Sequence, residues 1–205
     1  MSILGTSMEI GVHPAFALIL GGLLAAVLRG RFASMVLVIA PILGFWQVYM
    51  LEVGSLSTMT LFGYEILGVE VDKQAKVFGY LFHLAALVAG IYSFHLRDPW
   101  QISMALLYAA SAVGVAFAGD MISLFLWWEG LAITSVFQIW GRKTKEAEES
   151  GFRYLFFHVS SGLLLLAGIL FRYHGEGDSA LSLEPLTEAL EAGDPGSWFI
   201  LLAIG

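Results

Sequence analysis

The sequence predicts an all-α fold: a polytopic transmembrane helix bundle with six full spans and the start of a seventh, opening a larger architecture. Three observations predict it. Of 205 residues, 58% are hydrophobic and only 13% charged, against about 25% charged in an average soluble domain. The mean hydropathy is +0.80. Apolar runs long enough to cross a ~30 Å hydrocarbon core recur along the chain. No soluble core of this length hides so much apolar surface behind so few charges.

The spans read in order as follows. The first runs from about Pro14 to Leu28, lengthened by Ile10 and Val12. The second is Phe32 to Leu51, with a kink expected at Pro41, because proline removes a backbone donor and clashes one turn back. The third is Ala75 to His95, the fourth Ile102 to Ala118, the fifth Met121 to Gly141 and the sixth Phe152 to Tyr173. A seventh begins at Ser197 and stops at Gly205. Nine helical residues rise only about 13 Å, less than half the hydrocarbon thickness. Either this tail folds back or the sequence belongs to a longer protein, and the second is the expectation.

No Lys or Arg precedes Arg29, so the N-terminus lacks the positive charge of a signal peptide. Arg29, Arg31, Arg97, Arg142, Lys143, Lys145 and Arg153 fall on one side of the bundle, and Lys73, Lys76 and Arg172 on the other. The richer side is assigned to the cytoplasm, which puts the N-terminus outside. Arg153 and Arg172 flank the sixth span and are expected to snorkel to the two interfaces.

Residues 1–96 hold the first three spans and an exposed outer loop, 52–74; residues 97–205 hold the rest. Within that loop, Ser55 to Asp72 carries β-branched and aromatic residues punctuated by Gly63 and Gly68, which suits a small hairpin. Ser182 to Gly193 is either a short capped amphipathic helix or a solvated acidic loop.

Small residues recur at helical spacing: Gly21 with Ala25, Gly22 with Ala26, the set Ala110, Gly114 and Ala118, and the set Gly79, His83, Ala86, Gly90 and Ser93. Close helix packing in lipid accounts for all of them. With 10 Lys and Arg against 17 Asp and Glu, the net charge is -7. That argues against nucleic acid, which is bound by neutralising phosphates. The absence of cysteine excludes disulfides, thiolate metal sites and cysteine nucleophiles within this sequence. No phosphate loop, nucleophile elbow or metal spacing is present, so no cofactor, metal or soluble-type catalysis is expected.

Glu129 is the residue that carries chemistry. It is the ninth of 21 residues in the fifth span, near the midplane, and the only acid deep in any span. A carboxylate there costs several kcal/mol unless it is protonated, paired or wetted. Burial raises its pKa and a nearby lysine lowers it, so it suits a proton site. The bland alternative is a permanently neutral acid hydrogen-bonded to another helix. His158 is the second candidate, on a polar stripe with Tyr154, Ser161 and Gly162. It is read either as a relay group or as a neutral histidine bonded to a carbonyl. Tyr154, Ser161 and, more weakly, His83 are possible relay or lining groups. His83 and Gln47 read first as packing hydrogen bonds. Trp127 and Trp128 lie beside Glu129, deeper than an aromatic belt, where they would shield it from lipid.

The runs "FAGDMISLFLWWEGLAITSVFQIW" and "FRYLFFHVSSGLLLLAGILF" resemble the antiporter-like membrane subunits of Mrp-type cation/proton antiporters and of respiratory complex I. The upstream "VEVDKQAKVFGYLFHLAALVAGIYSFHL" fits as well, and "FHVSSGLLLLAGILFRYHG" is most similar to D-subunit forms of the Mrp type. The resemblance covers residues 55 to 205, and "WWEG" is its most specific element. It implies about fourteen helices with two inverted five-helix repeats, the first beginning at helix four, so that 97–205 is the start of the antiporter core. It implies that Glu129 matches the family's helix-five glutamate, whose ion-pair partner is a lysine in helix seven, just past a run like "WFILLAIG". The function it implies is a proton-translocating subunit of a multisubunit cation/proton antiporter in the cell (inner) membrane, with sodium the expected cation. Its partners would be the lipid bilayer, other membrane subunits, protons and a monovalent cation. Two alternatives stay open: the same fold in a redox-driven pump, and a membrane scaffold whose Glu129 only locks helices.

Overall fold

The computed structural model describes residues 12–61, 64–177, 181–183 and 193–204. They form α1 (Phe16–Val27), α2 (Arg31–Met50), β1 (Leu56–Leu61), β2 (Tyr64–Glu70), α3 (Lys73–Tyr92), α4 (Pro99–Ala116), α5 (Met121–Trp140), α6 (Lys145–Glu176) and α7 (Pro195–Ile204). Among the described residues, α2 to α6 are each long and apolar enough to cross a membrane. The described part of α1 is apolar but only 12 residues long, because Pro14 and Ala15 sit in a turn before it and Gly30, at φ 63°, breaks the helix after it.

Helix starts follow capping chemistry more closely than apolar content. The Asp72 side chain accepts from the Ala75 backbone, so α3 begins at Lys73, two residues before its apolar run. Asp98 caps α4, with Pro99 in its first turn. Thr144 accepts from Ala147 N at 3.2 Å, and Glu146 and Glu148 complement the dipole, so α6 starts at Lys145 where Phe152 was expected. The α2 helix continues through Pro41. Ala118 falls beyond the end of α4 and takes no part in its small-residue stripe.

The expected hairpin is present, an antiparallel β1–β2 pair. Ser57 pairs with Val69 and Thr58 with Leu67, leaving Gly68 as the extra residue of a bulge. Asp120 anchors it. One carboxylate oxygen accepts from Leu67 N at 2.6 Å, and the other accepts from Ser123 N at 2.7 Å in a capping box that starts α5. Residues 184–192 of the Ser182–Gly193 segment, read as either a short helix or an acidic loop, lie outside the described residues.

One buried core joins α1, α2, α3 and α4 with the end of β2; a second joins the start of α5 to α6 and α7. Glycines set the approaches. A methyl at Gly21 would meet the Ala40 side chain at 2.5 Å, and at Gly79 it would meet Phe117 at 2.7 Å. Outward faces are apolar, with Val27, Tyr92 and Phe157 among the most exposed side chains, as suits helices solvated by lipid.

Arg172 departs from expectation. It does not snorkel to an interface but is 1% exposed. Its Nε lies 3.8 Å from an Asp194 carboxylate oxygen, and its stem packs on Gly196. The Asp194 side chain also accepts from Ser197 N at 2.9 Å, capping α7 over the arginine. The start of α7 thus covers the guanidinium and keeps it from the surface.

Candidate functional site

Glu129 is the ninth of the 20 residues of α5, about 12 Å along the helix axis from its start. α5 lies between α4 and α6 and turns different residues to each. Toward α4, Trp127 packs on Gly114, and a methyl at Gly130 would meet Ser111 Oγ at 2.7 Å. Toward α6, Glu129 packs on Gly162, whose missing side chain leaves the space that Oε1 occupies. Any side chain at 162 would displace the carboxyl.

One helical turn from Gly162, the His158 ring stacks between two aromatic rings. Tyr154 lies at a centroid distance of 5.5 Å and Trp128 at 6.0 Å, with interplanar angles of 24° and 22°. The Tyr154 hydroxyl and Ser135 Oγ are joined by a hydrogen bond of 2.7 Å, which ties the stack back to α5. Trp128 Nε1, Glu129 Oε1 and His158 Nε2 are all buried and make no hydrogen bond within the described residues. Buried polar atoms are rarely left this way, and three on adjacent turns of two facing helices mark the interface as chemically unusual. Among the described residues Glu129 has no ion pair, and no group of three or more His, Cys, Asp or Glu is placed to hold a metal.

The structure therefore brings Glu129, His158 and Tyr154 to one interface and separates the other candidates from it. The Ser161 hydroxyl donates to the Ala203 carbonyl at 2.6 Å and joins α6 to α7. His83 is fully buried between α2 and α3, with Nδ1 2.7 Å from Gly79 O and Nε2 against Gly44. Gln47 donates to His13 O at 2.7 Å, a packing bond. The two tryptophans divide: Trp128 covers His158, whereas Trp127 faces α4 and the His13 ring, 4.8 Å between centroids. Sequence reasoning placed Gly162 on the polar stripe without seeing it as the seat of the carboxyl. It also missed Asp120 as the anchor of the hairpin, although Asp three residues before Ser at a helix start is a capping pattern.

Residues 118–205 match the family model described as NADH:quinone oxidoreductase/Mrp antiporter, TM. Among solved structures the fold is similar to a chain in the structure of the Mrp complex from Dietzia sp. DQ12-45-1b, with a TM-score of 0.75 and 22% identity, over 94% of this chain and 22% of that one. It is also similar to a chain of the membrane-bound sulfane sulfur reductase (MBS), an archaeal respiratory membrane complex. There the TM-score is 0.72 and the identity 18%, over 93% of this chain and 32% of that one. The chain thus spans less than a third of the length of either structural relative. No curated protein matches it. Residues 118–205 are thus similar to the membrane domain of that family, and the chain, with five helices long and apolar enough to cross a membrane among its described residues, is a multi-pass membrane protein.

Proposed function

We propose that the chain belongs to a proton-translocating subunit of a multisubunit cation/proton antiporter, with Glu129 as the group that loads and releases the proton and sodium as the coupled cation. One observation carries the reading: a carboxyl mid-way through a membrane helix, seated on a glycine, with a buried oxygen that no donor among the described residues satisfies. A structural glutamic acid serving only to lock helices would be expected to use that oxygen. In this reading the carboxyl takes up and gives up its proton as access to Oε1 changes.

In this reading His158 exchanges protons with Glu129 across the turn that separates it from Gly162, and Tyr154 orients its ring. Ser161 holds α7 in place, and His83 holds α2 to α3. The resemblance implies a lysine partner. The lysines described here sit at helix ends, so the Glu–Lys pairing is proposed with a residue outside those described. Residues 97–205 are assigned to the start of the antiporter core, with α1 counted as a sixth span. In this reading the N-terminus lies outside the cell membrane, which the gathering of Arg97, Arg142 and Lys143 toward one end of the bundle supports. The redox-driven alternative shares this local chemistry and differs in its energy source.

The test uses the assembled complex in sealed vesicles. Glu129→Gln keeps the side chain's size and hydrogen bonding and removes its titration. Assembly should persist while sodium-dependent proton flux falls by more than tenfold; normal flux would leave only the scaffold role.

A further inference from the structure

We propose that a slot between α3 and α4 binds one acyl chain of an anionic phospholipid, its phosphate resting on the cations at the slot's mouth. This site is separate from Glu129 and does not depend on the reading above.

The slot is a cavity of about 470 Å³. Six of its sixteen lining residues are alanines, including Ala89 on α3 and Ala105 and Ala109 on α4, which leave room where two helices would otherwise close on each other. It is blind. On α3 it begins at Phe82, leaving the first turns of that helix out, and on α4 it runs only from Gln101 to Ala112. Eleven helical rises are about 16 Å, the depth of one leaflet of a ~30 Å core. A helix from a neighbouring subunit would need a groove through both leaflets, whereas a single acyl chain needs this length.

The polarity is graded along the same axis. Ser93, Gln101 and Gln138 gather at one end, and the remainder is apolar apart from Tyr108. That end is the basic end of the bundle. The Gln101 side chain donates to Gly141 O at 2.9 Å, which brings the exposed Arg142 beside the mouth. Leu96 lines the slot, and the next residue, Arg97, is exposed with Nη1 donating to Ser34 Oγ at 3.0 Å. Lys143 stands at the same end, 3.8 Å from the Asp98 carboxylate. Three cations against one carboxylate leave the mouth positive, and clustered Lys and Arg at a membrane surface attract anionic headgroups.

The purified protein, stripped of lipid, is incubated with equal amounts of dioleoylphosphatidylglycerol and dioleoylphosphatidylcholine, and retained lipid is counted by native mass spectrometry. One phosphatidylglycerol should be retained at least fivefold over phosphatidylcholine, and excess inorganic phosphate should not displace it. Ala109→Phe, which fills the slot, should cut retention at least fivefold. The exposed pair Arg142→Gln with Lys143→Gln should bring the two lipids to parity with helicity unchanged. Equal retention of both lipids by the unaltered protein, or insensitivity to both sets of changes, overturns the proposal. So does a photo-crosslinker at position 109 that labels a neighbouring subunit rather than lipid in the assembled complex.

Discussion

Two interfaces in this bundle use the same device and end in opposite states. At the α2–α3 contact His83 fills the notch left by Gly44, and at the α5–α6 contact Glu129 fills the notch left by Gly162. His83 is wholly buried and tethered, its Nδ1 2.7 Å from the carbonyl of Gly79 one turn back. A neutral imidazole has one N–H to place, and this contact places it. Glu129 is only half-buried, and its Oε1 has no hydrogen-bond partner among the described residues; His158 Nε2, one turn from that notch, has none either, and the same is true of His83 Nε2. What separates the two contacts is that the Gly79 carbonyl holds the His83 ring, whereas no hydrogen bond among the described residues reaches Glu129 Oε1.

The sharpest way to break this comparison is to neutralise each group in turn. Glu129→Gln is expected to lower proton flux by more than tenfold with assembly retained, while His83→Gln leaves flux per assembled complex within about twofold; both are read in vesicles by a pH-sensitive dye. The notches should fail differently. Gly162→Val pushes the carboxyl aside, and flux should fall about tenfold even in complex that assembles. Gly44→Ala overpacks the His83 ring, at a cost of roughly 1–3 kcal/mol. It should lower the melting temperature while flux per folded molecule is kept. His158→Phe preserves the stack with Trp128 and Tyr154 but removes the exchangeable nitrogen. It should lower flux severalfold and shift the pH at which flux is half-maximal.

The smallest effect is expected at the far end of α6. Burial alone would raise the Asp194 pKa. Hydrogen bonds from the Ser197 hydroxyl and backbone and from Gly196 N, together with the Arg172 charge, outweigh it and hold the carboxyl below its ordinary value of 3.8. The unfolded chain then binds more protons than the folded one in that range, so the contribution is present above about pH 4. It is lost as pH falls through the lower folded value. Acid titration of thermal stability should show this loss, and Asp194→Asn should flatten it.

The chain's apolar runs made its helices legible, because an 18-to-20-residue stretch without charge has few other fates. Helix ends were less legible: Thr144 and Asp72 begin helices ahead of the apolar residues, where capping outweighs hydropathy. The hairpin could be read from its β-branched residues, but its dependence on Asp120, which follows it by fifty residues, could not. Arg172 was misplaced because sequence shows its position at a span end and not the Asp194 cap that folds over it. At the site, Glu129 stood out as a lone acid in an apolar span. Its seat on Gly162 and the Tyr154–His158–Trp128 stack depend on which faces of two antiparallel helices meet, and a single sequence leaves that pairing open.

The central claim is that the Glu129 carboxyl changes protonation within the membrane. Infrared difference spectroscopy of the reconstituted complex, between acidic and alkaline pH, observes this directly through the carboxylic-acid carbonyl stretch. The account expects a band from a buried carboxylic acid that appears as pH falls, disappears as it rises, and is absent in Glu129→Gln. A spectrum in which no pH-dependent band is lost on that substitution would show a fixed acid, and the proton-site reading would be wrong.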